Sequence, residues 1–138
     1  GGAMLTSAEI APSLRPGMHA ATFGGNPLAA RAGIAALEMI EQENLLSHTH
    51  HISELFKQRF EELNQLPIVK DIRVLGMMIG IELTIEGAPA VAECMKRNLL
   101  INCTQNTVIR LLPAMNLTEQ QAIEGCDIIK DVLQQMTE

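Results

Sequence analysis

The 138-residue sequence predicts an α+β fold, also describable as α/β, in which helices cover one face of a small sheet. The spacing of apolar residues changes along the chain from the helical period to strand alternation and back, more than once. The resulting order is helix, helix, strand, strand, helix, strand, strand, helix, which is typical of layers packed around one core. Hydrophobic residues make up 47% of the chain and aromatic residues 2%, so the core must be aliphatic.

The first helix is predicted to begin at Asn26 and Pro27, after an irregular opening segment. Asparagine is a preferred N-cap, and proline at the first helical position loses no intrahelical hydrogen bond. Residues 28–40 are almost all apolar. We therefore expect this helix to be buried on most sides.

A second, half-exposed helix is predicted over residues 47–66, because apolar side chains recur there every three or four positions. Pro67 ends it. Residues 68–74 and 77–84 are rich in branched side chains and flank Gly76, which predicts two strands joined by a hairpin or a bulge.

The rest of the chain is predicted to add a short helix ending near Arg97, two strands over residues 99–103 and 107–112, and a terminal helix. Thr118 and Gln121 have the spacing of a capping box, in which each side chain satisfies a backbone N–H of the other residue. The terminal helix should therefore begin at Thr118.

Composition argues against several classes of protein. The formal net charge is -6 and the ten Lys and Arg residues are scattered, so nucleic acid is a poor candidate partner. No apolar run reaches the roughly 18 to 20 residues that a membrane span requires. The three cysteines show no metal-binding spacing and favour reduced thiols in a cytoplasmic protein. The chain opens without methionine and has the look of a fragment of something longer.

Thr22, Gly24 and Gly25 stand directly before the first helix. Glycines let a backbone approach a ligand closely, a helix N-terminus attracts anions, and a threonine hydroxyl can donate to one. This combination suits a phosphate. A flexible turn before a well-capped helix explains the same residues.

Arg110 lies within a predicted strand whose other residues are apolar. Alternation places it on one face with Val108 and Leu112, and opposite Ile109 and Leu111. A buried, unpaired charge is costly, so the arginine must either extend to solvent at a sheet edge or meet an anion such as a carboxylate.

Other polar residues are weaker candidates. His48, His50 and His51 crowd the start of the second helix, where solvated histidines explain them better than a metal site does. Glu82 is either a catalytic carboxylate or a mark of the exposed face of its strand. No nucleophile, base and orienting group occur in a recognisable arrangement, so we predict no catalytic residue and no metal site in this chain.

Four stretches occur in a fixed order along the chain: GAMLTSAEIAPSLRPG at 2–17, ATFGGNPLA at 21–29, IRVLGMMIGIEL at 72–83 and VIRLLPAMNLTEQQ at 108–121. Together they resemble the C-terminal part of the class III (ornithine-type) pyridoxal-phosphate aminotransferases, and among these most the acetylornithine aminotransferases. The resemblance spans nearly the whole chain, and several ordered motifs are far more specific than one glycine-rich loop.

The resemblance implies a fold type I pyridoxal-phosphate transferase that works as a homodimer. Residues 1–25 would end the large cofactor domain, residues 26–66 would form the linking and amphipathic helices, and residues 67–138 would form the small C-terminal domain. The lysine that holds the cofactor as a Schiff base would lie upstream of Gly1, so the chain alone should be inactive.

The resemblance also assigns roles to single residues. Thr22 matches a threonine that contacts the cofactor phosphate in the neighbouring subunit, and Arg110 matches an arginine that holds a substrate carboxylate. Ala21 stands at a substrate-contacting position where the family commonly has serine.

The implied activity is transfer of the terminal amino group of N-acetylornithine to 2-oxoglutarate, a step of arginine and hence amino-acid biosynthesis. The implied partners are small amino and oxo acids and a second subunit, with no nucleic acid and no membrane. Ornithine, 4-aminobutyrate or succinylornithine are alternative donors, and a non-catalytic amino-acid-binding or dimerisation module is the alternative from another class.

Overall fold

A computed structural model describes residue 2 and residues 4–137, and the chain divides into two compact units, Gly1–Glu43 and Asn44–Glu138. Within these described residues, the first unit contains one α-helix, α1, and the second contains three α-helices and four strands. In the described part of the chain, no helix is both long and apolar enough to cross a bilayer.

From residue 4 to residue 26 the first unit has no regular element apart from a short 3-10 turn, Ala11–Ser13, as the sequence predicts. Helix α1 then spans Pro27–Gln42. The Oδ1 atom of Asn26 accepts hydrogen bonds from the backbone N–H groups of Leu28 and Ala29, at 2.9 and 3.2 Å. The predicted N-cap is therefore confirmed.

The expectation that α1 is buried is wrong for this chain, because none of its residues is buried. Leu28 and Leu37 are exposed to 80% and 65% of their surface. Apolar composition reports what a helix surface prefers to contact, whereas burial requires a segment that packs on it. The remainder of this unit is an irregular chain that does not cover the helix.

The second unit opens with helix α2, Leu45–Glu61, and a 3-10 turn, Glu62–Gln65. Helix α3 spans Ala88–Lys96, and helix α4 spans Glu119–Gln135. Both halves of the predicted capping box are present at the start of α4, where Thr118 and Gln121 exchange hydrogen bonds.

The four strands form one antiparallel sheet in the order β1-β2-β4-β3. Their bounds are Val69–Leu75 for β1, Met78–Leu83 for β2, Asn102–Thr104 for β3 and Val108–Leu111 for β4. The β1–β2 hairpin turns at Gly76, which has a φ of 58°. The β3–β4 turn needs positive φ at Gln105 and Asn106, a conformation that asparagine tolerates better than most residues.

One face of the sheet is buried and the other is open. Ile79, Ile81 and Leu83 of β2 and Ile109 and Leu111 of β4 point to the buried face. The helices and the 3-10 turn contribute most of the rest of the core, including Ile52, Phe56, Phe60, Leu63, Ala90, Cys94, Ala122, Cys126, Ile129, Val132 and Leu133. The rings of Phe56 and Phe60 stack with their centres 5.9 Å apart. This confirms the α+β fold and the mainly aliphatic core.

Helices α2 and α4 are joined at their N-terminal ends by two histidines. Nε2 of His48 donates to the carbonyl oxygen of Leu117 at 2.8 Å, and Nε2 of His51 lies 3.3 Å from Oε2 of Glu119. His50 is exposed. The interpretation of all three as solvated histidines therefore fails for His48, which is half-buried and links the start of α4 to α2.

Candidate functional site

Thr22 stands in a turn of the first unit that runs from residue 22 to residue 25. The N–H of Gly24 donates to the carbonyl oxygen of Ala21 at 3.1 Å, and Gly25 has a φ of 75°. Only glycine adopts that φ without strain, so Gly25 lets the chain turn directly into the N-cap of α1. Thr22 and Ala21 are both exposed.

The N–H donors near Thr22 are partly in use. The side chain of Asn26 accepts hydrogen bonds from the N–H groups of Leu28 and Ala29, so these two groups are not available to an anion. The sequence had suggested that the N-terminus of α1 would offer them. Among the described residues, the hydroxyl of Thr22 and the N–H groups of Phe23 and Gly25 make no hydrogen bond. These donors, rather than the helix terminus, are available to an anion.

Arg110 lies on the open face of the sheet in the second unit. Ile109 and Leu111, its neighbours along β4, are buried on the other face, which confirms the predicted alternation. Strand β4 runs between β2 and β3, so Arg110 pairs with Gly80 on one side and Asn102 on the other. It is therefore not at a sheet edge. Its side chain is exposed and forms no ion pair with the described residues.

The same face carries a compact charge cluster, formed by Lys70, Asp71, Arg73 and Glu82. Nζ of Lys70 lies 2.6 Å from Oε1 of Glu82, and Nη1 of Arg73 lies 2.9 Å from Oε2 of Glu82. Arg73 also pairs with Asp71. The hydrogen bond from Lys70, followed by that from Arg73, lowers the pKa of Glu82 below its ordinary value.

Gly80 separates the two arginines of this face. It pairs with Arg73 on β1 and with Arg110 on β4. A Cβ on Gly80 would stand 3.9 Å from Nε and Nη2 of Arg73, so the Arg73 guanidinium extends over β2. Two guanidinium side chains therefore flank one residue, and only Arg73 among them has anionic partners.

A cleft of about 420 Å³ opens between the end of β4 and helix α4. Its walls are mainly apolar, with Phe56, Leu99 and Ile129 among them, and Arg110 and Gln121 contribute polar groups. Arg110 therefore borders a largely apolar cleft, while its side chain belongs to the open face of the sheet.

The three cysteines are free thiols. Cys94 and Cys126 are buried, and burial raises the pKa of the Cys126 thiol to about 12. Cys103 is half-buried. Among the described residues, no group of three His, Cys, Asp or Glu side chains is arranged to hold a metal ion.

The sequence predicts Thr22, Ala21 and Arg110 as site residues, and the structure places the first two next to each other at one turn of the first unit and the third in the second unit. The sequence did not predict that Lys70 and Arg73 engage Glu82, which it indicated to be a catalytic or merely exposed carboxylate. The β1–β2 register shifts between Val69 and Asp71. Simple alternation along β1 therefore places Lys70 on the wrong face. Arg73 and Glu82 are each flanked by branched apolar residues, and this pattern could have predicted that both point to the open face.

The fold defines a class of protein. Among solved structures, ornithine δ-aminotransferase from Plasmodium falciparum superposes with a TM-score of 0.88 and 26% identity, covering 96% of this chain and 35% of that one. Acetylornithine aminotransferase from Elizabethkingia anophelis superposes with a TM-score of 0.83 and 26% identity, covering 95% and 36%. The fold is that of part of a pyridoxal-phosphate aminotransferase.

The sequence matches the aminotransferase class-III family over residues 1–133, and the chain belongs to that family. Acetylornithine aminotransferase from Nitrosomonas europaea is 43% identical over 122 residues, which are 88% of this chain and 31% of that protein. Ornithine aminotransferase from an Exiguobacterium species is 38% identical over 125 residues, which are 91% of this chain and 31% of that protein. The chain thus spans about a third of the length of these relatives.

Proposed function

We propose that this chain forms the C-terminal part of a class III aminotransferase that moves the terminal amino group of N-acetylornithine to 2-oxoglutarate. The observation that carries the proposal is Arg110, an exposed guanidinium on an inner strand, without an ionic partner among the described residues. Relatives named acetylornithine aminotransferase support the donor, whereas those named ornithine aminotransferase support ornithine as an alternative.

Arg110 is proposed to bind a carboxylate of the amino donor or of 2-oxoglutarate. A guanidinium offers two parallel N–H donors that match the two oxygens of a carboxylate. Held in this way, the substrate is oriented before reaction, and positioning of this kind lowers the barrier of the chemical step. Ala21 is proposed to contact the donor, and its lack of a hydroxyl leaves that contact apolar.

Pyridoxal phosphate is the proposed cofactor, and Thr22 the residue of this chain that holds its phosphate. The exposed hydroxyl of Thr22 and the free N–H groups of Phe23 and Gly25 are a donor set that fits a phosphate. When bound, the cofactor supplies an electron sink for the transfer of an amino group. The residues of this chain contribute anchoring and orientation.

A homodimer is the proposed assembly, with Thr22 reaching the phosphate of the neighbouring subunit. The first unit offers a contact surface for the rest of the protein or for a second subunit, because it exposes many large apolar side chains, including those of Met4, Leu5, Ile10, Leu14, Met18, Phe23, Leu28, Ile34, Leu37 and Met39. Exposed apolar patches of this kind mark contact surfaces.

A cytoplasmic location is also proposed, and the three free thiols support it. With N-acetylornithine as the proposed donor, the proposed pathway is arginine biosynthesis.

The experiment that tests the proposal is a panel of amino donors assayed with 2-oxoglutarate, using the intact protein that carries this chain and measuring glutamate formed. We expect the highest kcat/KM with N-acetylornithine. A higher value with ornithine, 4-aminobutyrate or succinylornithine would replace the donor. No turnover with any of them, in protein loaded with pyridoxal phosphate, would favour a non-catalytic module.

A further inference from the structure

Arg110 shares the open face of the sheet with the carboxylate of Glu82, and the two do not form an ion pair. Glu82 faces Val108 across the β2–β4 ladder, and Arg110 faces Gly80. Glu82 and Arg110 therefore lie on a diagonal of the same open face, where long side chains separated by about 7 to 8 Å at their backbones can interact. Oppositely charged residues in such positions normally attract each other.

The carboxylate of Glu82 is instead fully engaged on its other side. Lys70 occupies Oε1 at 2.6 Å, and Arg73 occupies Oε2 at 2.9 Å. Both cations belong to β1, on the opposite side of β2 from Arg110. Asp71 also forms an ion pair with Arg73, which helps to hold that guanidinium in place.

We propose that Lys70 and Arg73 are positioning residues that hold the Glu82 carboxylate away from Arg110 and thereby keep Arg110 open to an external carboxylate. The nature of that carboxylate rests on the proposed function, while the restraint on Glu82 does not. Without the two cations on β1, the Glu82 side chain turns toward β4 and pairs with Arg110. A substrate carboxylate must then displace an internal one, so it binds more weakly.

The restraint is tested by NMR titration of the Glu82 side-chain carboxyl in the full 138-residue chain. Four forms are compared: the unaltered chain, Arg110→Gln, Lys70→Gln/Arg73→Gln, and the triple variant. We expect Arg110→Gln to leave the Glu82 pKa unchanged when Lys70 and Arg73 are present, and to raise it when both are replaced. An equal rise in both backgrounds, or no rise in either, would overturn the proposal.

The consequence for binding is tested in the intact enzyme by the KM for 2-oxoglutarate. We expect Lys70→Gln/Arg73→Gln to raise KM by about two- to fivefold, the effect of one exposed ion pair, with kcat retained. Adding Glu82→Gln should restore KM, because the competing carboxylate is gone. Lys96→Gln, which removes a cation paired with Glu93 on α3, is the matched control and should change nothing.

The two tests separate the two proposals. A KM increase that Glu82→Gln does not reverse would assign Lys70 and Arg73 a merely structural role and overturn the inference. If Arg110→Gln leaves the KM for 2-oxoglutarate unchanged while the NMR coupling appears as expected, the restraint on Glu82 stands and the substrate-binding role of Arg110 fails.

Discussion

At the scale of single residues, the two proposed binding residues, Thr22 and Arg110, differ from similar residues in having side-chain donors without partners among the described residues. Arg59, Arg73 and Arg97 all form ion pairs within the second unit, whereas Arg110 forms none with the described residues. Thr118 uses its hydroxyl in a helix cap, whereas the hydroxyl of Thr22 makes no hydrogen bond within the part of the chain that the structure describes. Unused donors on an exposed surface are the features that a ligand can recognise.

Replacing Thr22 by valine should weaken the retention of pyridoxal phosphate by the intact enzyme, because valine keeps the shape and removes the donor. The loss of one hydrogen bond to a charged group corresponds to about 1.5 to 3 kcal/mol, or roughly 10- to 150-fold in Kd. Cofactor titration followed by absorbance measures it. Thr6→Val, at another exposed threonine of the first unit, is the control, and equal affinity in Thr22→Val and the unaltered enzyme would remove Thr22 from the phosphate site.

At the scale of elements, local signals in the sequence were sufficient for most boundaries. The capping residues Asn26 and Thr118 and the turn at Gly76 act through the backbone of their own segment, and they predicted these boundaries correctly. The prediction that α2 continues to Pro67 is wrong, because the helix ends at Glu61 and a 3-10 turn follows over Glu62–Gln65. Burial of α1 was mispredicted because it depends on what packs against the helix. The charge cluster was missed because a register shift in β1 depends on the pairing of two strands.

The capping box of α4 gives a prediction at this scale. Thr118→Ala should lower the free energy of unfolding by about 1 kcal/mol, because the N–H of Gln121 loses its acceptor. Thr118→Ser keeps the acceptor and should lose much less. Urea denaturation followed by circular dichroism measures both, and equal destabilisation by alanine and serine would show that the hydroxyl oxygen does not stabilise the helix.

At the scale of the whole molecule, the second unit has its own hydrophobic core and many ion pairs on its surface. The first unit exposes its large apolar residues. The pair Arg59–Asp127 links α2 to α4, and the pair Lys130–Glu62 links α4 to the 3-10 turn that follows α2. Hydrogen bonds from lysines lower the pKa of Glu62 and of Glu82 below the ordinary 4.5. Each of these carboxylates in its charged form therefore makes a modest contribution to the stability of the second unit.

Acid should destabilise the second unit through these groups. A carboxyl whose pKa is lower in the folded state than in the unfolded state contributes its full stability above about pH 4.5, and loses it as pH falls through the folded-state value. The urea midpoint should therefore fall between pH 5 and pH 3, and Glu82→Gln should make that fall shallower. Glu124 is an exposed carboxylate without an ion pair among the described residues, so Glu124→Gln should leave the fall in the urea midpoint unchanged. An identical fall in Glu82→Gln and the unaltered chain would contradict this account.

The most direct test of the central claim, that Arg110 binds a substrate carboxylate, is the kcat/KM of the intact enzyme for 2-oxoglutarate in the Arg110→Ala variant. The account predicts a loss of about 1.5 to 3 kcal/mol of transition-state stabilisation, or roughly 10- to 150-fold, because a hydrogen bond to a charged group disappears. Lys57→Ala, at an exposed cation of α2, should leave the value unchanged. A kcat/KM for Arg110→Ala equal to that of the unaltered enzyme would contradict the claim.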